Sequence, residues 1–152
     1  VVSSMIFTIL IGAGVFGYFL SVSQLSFALV GFIEGLGLPP VGVLLFIIVF
    51  YMVLGCFMDS LAMILLTVPI FYPLIVANGF DPVWFGIIAV VTVELGLITP
   101  PVGMNLFVIQ SMAPDISIRD AYRGVWPFVA SDLIRVTLLV IFPGITLFVL
   151  RL

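Results

Sequence analysis

The chain has 152 residues, 64% of them hydrophobic and 7% charged, with a mean hydropathy of +1.52. A soluble domain carries roughly 25% charged residues, so this is the composition of an all-α integral membrane protein. Four basic against seven acidic residues exclude the basic footprint of a nucleic-acid binder, and one Cys with no His excludes a disulfide framework and the common zinc sites.

The chain opens on VVSSM, with no initiator Met, charged n-region or cleavage site, so it is expected to be the C-terminal portion of a longer polypeptide. Residues 3–22 are uncharged and long enough to cross the bilayer as a helix. Gly12, Gly14 and Gly17 suit close helix packing within that span. Residues 24–37 are mixed. Leu25, Ala28, Leu29 and Phe32 make an apolar face, with Gln24, Ser26 and Glu34 elsewhere, which fits an interfacial helix ended by Leu38-Pro39-Pro40.

Residues 41–57 and 61–77 are two apolar runs separated by Met58-Asp59-Ser60. The first is short for a span, and Pro69 and Pro73 are expected to kink or break the second. A re-entrant hairpin over 41–77 follows, with two ordinary spans as the competing reading. Asn78-Gly79-Phe80-Asp81-Pro82 is a turn, and Trp84 stands where an interfacial anchor belongs. Residues 82–113 form one span interrupted near its middle at Thr99-Pro100-Pro101. Residues 114–124 are polar and suit a short surface helix. Residues 125–150 form the final span, about 39 Å as a helix at 1.5 Å per residue, with tilt absorbing the excess. Arg119 and Arg123 place the polar segment on the cytoplasmic side. The first span then runs outward, the hairpin dips from outside, the broken helix returns, and the last span exits.

The segment Gly96–Asn105, GLITPPVGMN, sits in this apolar setting before the first basic residue, Arg119. In hydrocarbon every backbone N–H and C=O needs a partner, so a broken helix persists only where protein or a water-filled cavity receives the freed groups. Such a break points to a lined site: unwound carbonyls can coordinate a cation, and half-helix N-termini can face an anion. Gly96 and Thr99 end the first half-helix, so their carbonyls are expected to lack intrahelical partners, and Thr99 adds a hydroxyl. Gly55, before the hairpin tip, allows a second backbone segment to approach closely.

Asp59 is the only charge between Glu34 and Asp81. It caps the helix beginning at Ser60, or it lies near cation or substrate. Asn105 donates to a substrate carboxylate or ties the halves of the break together. Glu94 faces a polar cavity, pairs with a neighbour, or is protonated. Asp132 and Arg135, at i and i+3, pair on one helix face. Cys56 reads as a small buried apolar residue.

At GCFMDSLAMILLTVPIFYP, GFDPVWFG and GLITPPVGMNLFV the chain resembles the large membrane subunit of the TRAP (tripartite ATP-independent periplasmic) transporters, the DctM type, over about residues 1–150. The resemblance implies the C-terminal inverted repeat of an elevator-type fold, with a re-entrant hairpin and a broken helix. It implies a multi-pass protein of the bacterial inner membrane, in which sodium influx drives uptake of organic acids such as C4-dicarboxylates or sialic acid. It matches Gly55, Gly96 and Thr99 to a sodium site, with sodium as coupling ion and no other cofactor. Asn105 and Asp59 are then substrate candidates. The implied partners are a small DctQ-type membrane subunit, a periplasmic substrate-binding protein, the missing N-terminal repeat and the bilayer. The competing function is a non-transporting membrane scaffold. An intramembrane enzyme is excluded by the lack of His, of a nucleophile–base pair and of paired catalytic carboxylates.

Overall fold

The computed structural model describes residues 2–100, 103–112 and 115–148, and within these the chain is helical throughout. In order come α1 (Val2–Ser23), α2 (Leu25–Gly35), α3 (Pro40–Gly55), α4 (Ser60–Ala77), α5 (Pro82–Ile98), α6 (Met104–Met112), α7 (Ile118–Ile141) and α8 (Pro143–Leu147). Three stretches, Ile6–Ser23, Ser60–Ala77 and Ile118–Ile141, are long and apolar enough to cross a membrane, whereas α3 and α5 are apolar but shorter. Gln24 joins α1 to α2 in one left-handed residue (φ 51°), which ends one helix and starts the next without a loop.

Proline and capping chemistry set most of these boundaries. Pro40 and Pro82 open α3 and α5 in the first turn, where a missing N–H leaves no bond unmade. Asp81 caps α5, its carboxylate accepting the N–H groups of Val83 (2.8 Å) and Trp84 (3.1 Å). Of the kink or break expected at Pro69 and Pro73, the break does not occur: one helix runs through both. Packing holds it there, since Met63, Thr67, Phe71, Leu74 and Ile75 are buried along one face, and such tertiary contact rather than propensity sustains most helices.

The C-terminal region also departs from expectation. Residues 118–124 and the following apolar run form one continuous α7 rather than a surface helix and a separate span over 125–150. Ser117 starts it, donating to the Asp120 carboxylate (2.6 Å) and accepting the Asp120 N–H (3.2 Å). The helix then stops at Phe142, because Pro143 has no N–H to donate to the carbonyl of Leu139. Residues 149 and 150 of the expected span lie outside the described residues.

Trp84 meets that loss. It is buried at 3% exposure rather than anchored at an interface, and its indole N–H donates to the Leu139 carbonyl at 2.8 Å. The indole supplies the donor that proline removed. Trp84→Phe is therefore expected to lower unfolding free energy by about 1–2 kcal/mol. In a Pro143→Ala background, which restores a backbone donor, the same change is expected to cost much less. Thermal unfolding in detergent across the four-protein cycle checks this; strictly additive losses would contradict it.

The core is organised around α5, which packs along α3, α4 and α7, while α1 and α2 lie against α4. Helices α3 and α4 fold back on each other about the Cys56–Asp59 connection. The Tyr51 and Thr67 hydroxyls, eight residues before and after Asp59, are 2.8 Å apart, and Thr67 donates onward to the Met63 carbonyl (2.7 Å). Phe71 closes the pair edge-on against Phe50 and Tyr51, with ring centroids at 5.3 and 5.6 Å. The result is an antiparallel helical hairpin laid against α5.

Candidate functional site

The tip of the α3/α4 hairpin meets the end of α5. Two glycines make that possible. A Cβ on Gly96 would lie 2.9 Å from the Gly55 Cα, 3.1 Å from the Met52 carbonyl oxygen and 3.2 Å from that of Tyr51. A Cβ on Gly55 would lie 3.0 Å from the Gly96 Cα and 3.2 Å from the Val93 carbonyl oxygen. These neighbours are backbone atoms, which cannot rotate away, so the two helices touch main chain to main chain.

Helix α5 stops at Ile98 and α6 starts at Met104; Pro101 and Val102 between them lie outside the described residues. The Gly96 carbonyl accepts the Thr99 N–H at 3.1 Å, so the expectation that it lacks a partner does not hold. A tightened last turn satisfies it, leaving one lone pair. The Thr99 hydroxyl donates to the Leu95 carbonyl at 2.6 Å, which keeps its oxygen lone pairs available. Among the described residues no backbone N–H reaches Gly55 O or Thr99 O. Gly103, at φ 57°, turns the chain back so closely that a Cβ there would lie 3.3 Å from the Thr99 oxygen.

Cys56 is buried at 3% exposure, as expected of a small buried residue, and it also meets the junction. Its Sγ is 3.2 Å from Met52 O, 3.4 Å from Thr99 O and 4.0 Å from Pro100 O. A thiol has one proton and is a weak donor, so it cannot satisfy all three carbonyls. Nothing in the sequence marked this beyond its place beside Gly55. A cavity of about 430 Å³ opens at the same junction, bordered by Val49, Met52, Val53, Cys56, Phe57, Thr99 and Pro100, and its walls are almost wholly apolar. A second cavity, about 320 Å³ between α2, α3 and α4, is walled by apolar side chains with Thr67 as its one hydroxyl.

Gly55 and Gly96 thus come together, and Thr99 is tied to Gly96 through its backbone N–H. Asp59 does not join them as a free carboxylate: it caps α4, accepting the N–H groups of Leu61 (3.1 Å) and Ala62 (3.2 Å). Asn105 is exposed in the first turn of α6. Glu94 is exposed on α5. Asp132 and Arg135 form the expected ion pair at 2.9 Å.

Three apolar helices of membrane-crossing length in an all-helical chain fit a polytopic helical membrane protein. Residues 1–145 match the family described as "Tripartite ATP-independent periplasmic transporter, DctM component", and the chain belongs to that family. It is 35% identical over 145 residues to the sialic acid TRAP transporter large permease protein SiaM of Vibrio cholerae, covering 95% of this chain and 34% of that protein. It is 34% identical over 143 residues to the C4-dicarboxylate TRAP transporter large permease protein DctM of Pseudomonas aeruginosa, covering 94% of this chain and 33% of the relative. It is 34% identical over 146 residues to the isethionate TRAP transporter permease protein DctMQ of Oleidesulfovibrio alaskensis, covering 96% and 23%. The chain therefore spans about a third or less of the length of these relatives, which are transporter permeases and not enzymes.

Proposed function

We propose that the chain is the C-terminal repeat of a sodium-coupled TRAP permease of the bacterial inner membrane. In this reading α3 and α4 are a re-entrant hairpin, α5 and α6 a broken transmembrane helix, and the whole one half of an inverted-repeat elevator. The contact between Gly55 and Gly96 carries the reading. It brings the ends of α3 and α5 together, where no described backbone N–H reaches the carbonyl of Gly55 or of Thr99. Oxygens of this kind bind sodium without burying a fixed charge, and inverted-repeat transporters place their ion sites at such breaks.

The transported solute is an organic acid. Asn105 presents its amide near the N-terminus of α6, where helix amide groups favour an anion. Asp59 is assigned to capping, since a second carboxylate would repel such a substrate. The remaining parts are an N-terminal repeat, a small DctQ-type membrane subunit and a periplasmic substrate-binding protein. The chain spans about a third of its large-permease relatives, which fits one repeat among several parts.

Reconstitution tests this. The purified chain alone in proteoliposomes is expected to give no sodium-driven carboxylate uptake, because a midplane site between repeats needs both of them. Coexpression with the other three parts is expected to restore uptake that stops when sodium is replaced by choline. Uptake by the chain alone would contradict the half-transporter reading. Failure of every assembled complex would favour a scaffold.

A further inference from the structure

Glu94 is a carboxylate without a place in the site above. It stands at the thirteenth position of α5, flanked by Val93 and Leu95. At 1.5 Å per residue that is about 18 Å along the helix from Pro82, and in the reading of α5 and α6 as a broken transmembrane helix it lies within the hydrocarbon layer of about 30 Å. A glutamate side chain is too short to reach either surface from there. The ion pair given by the structure is Asp132–Arg135, on α7, and it does not involve Glu94.

The position of Glu94 around α5 is informative. The helix is buried against α3, α4 and α7 on most of its circumference. One stripe stays open: Val83 (50% exposed), Ile87, Val90 (48% exposed) and Glu94. These four follow a 4-3-4 spacing and fall within about 60° of arc at 3.6 residues per turn. That is the seam along which a second helix packs. Glu94 is its single charge.

A carboxylate at this depth does not face lipid tails; such residues turn to a protein interior or a wet cavity and pair there. A second copy of the chain is a poor occupant. Two-fold packing of equivalent seams would set like charges against each other at low dielectric. We propose that the Val83–Glu94 seam of α5 docks a helix from the part of the permease outside this chain, and that this helix carries a Lys or Arg opposite Glu94. The inference rests on the reading of the chain as one part of a larger permease. It adds the surface on which another part sits and the charge that fixes their register.

Photo-crosslinking in the complete reconstituted permease tests it. With p-benzoylphenylalanine at Val90, the expected product joins Val90 to a permease segment outside this chain, with a Lys or Arg within one helical turn of the linked residue. Glu94→Lys is expected to lower the yield at least fivefold, and Glu94→Gln to lower it less. Reversing the partner's charge in the Glu94→Lys background is expected to restore it, which separates lost pairing from lost folding. Cross-links only to lipid, to the small subunit, to another copy or to a segment without a basic residue would overturn the proposal. So would a yield indifferent to charge reversal. Sodium-driven uptake is read in the same vesicles: intact uptake without the cross-link defeats the Glu94 pairing alone, and the cross-link without sodium dependence defeats the transport reading alone.

Discussion

Replacing Gly96 by alanine is expected to destabilise the protein by about 1–3 kcal/mol, the usual range for over-packing a close contact. The direction runs against the ordinary preference, since alanine in place of helical glycine normally stabilises by up to about 1 kcal/mol. The reason is local. A methyl group at Gly96 would sit 2.9 Å from the Gly55 Cα and 3.1 Å from the Met52 carbonyl oxygen, and α3 and α5 would have to part to admit it. Gly86, on the same helix, is the control: a Cβ there meets nothing within 4 Å, so Gly86→Ala should stabilise. Gly55→Ala and Gly96→Ala together should cost less than their sum, because either one alone separates the same two backbones. Thermal unfolding in detergent reads all four proteins. A neutral or stabilising Gly96→Ala would mean that the backbones do not touch there.

Thr99→Val is expected to raise the sodium concentration that half-saturates uptake by the assembled transporter about tenfold, equivalent to ~1.4 kcal/mol. Valine keeps the shape and removes the oxygen. The lost hydroxyl also ends a 2.6 Å bond to the Leu95 carbonyl, so some change in stability accompanies it. Thr99→Ser separates the two effects. It keeps the oxygen and should keep a near-normal sodium response. An unchanged response in Thr99→Val would assign the hydroxyl to holding the helix end and nothing more.

The breaks were more legible in the sequence than the contacts between them. Pro40, Pro82 and the Thr99-Pro100-Pro101 run announce helix ends by chemistry that does not depend on the rest of the fold. The Asp59 cap, one of the two readings open for that residue, is equally local. Gly55 could be read as a place of close backbone approach, but only the structure shows that the approaching segment is Gly96, 41 residues away in sequence. Three features escaped because tertiary packing decided them. Helix α4 continues through Pro69 and Pro73 because its buried face is held. Helix α7 extends back to Ile118 because Ser117 caps it earlier than the hydrophobicity begins. Trp84 looks like a membrane-surface anchor in sequence, and is instead buried against α7, where Pro143 has left a carbonyl without its donor. Cys56 was invisible as a site residue for the same reason, since its three carbonyl neighbours come from two separate segments.

That thiol gives the most direct view of the junction. Cys56 Sγ lies 3.4 Å from the Thr99 carbonyl and borders the cavity at the hairpin tip. The rate of its alkylation by a small methanethiosulfonate can be followed by peptide-resolved mass spectrometry in the assembled transporter. A sodium ion held by the Gly55 and Thr99 oxygens predicts slower modification in sodium than in choline at equal ionic strength, with the protection lost in Thr99→Val. Measurable and equal rates in the two salts would contradict a cation site at this break.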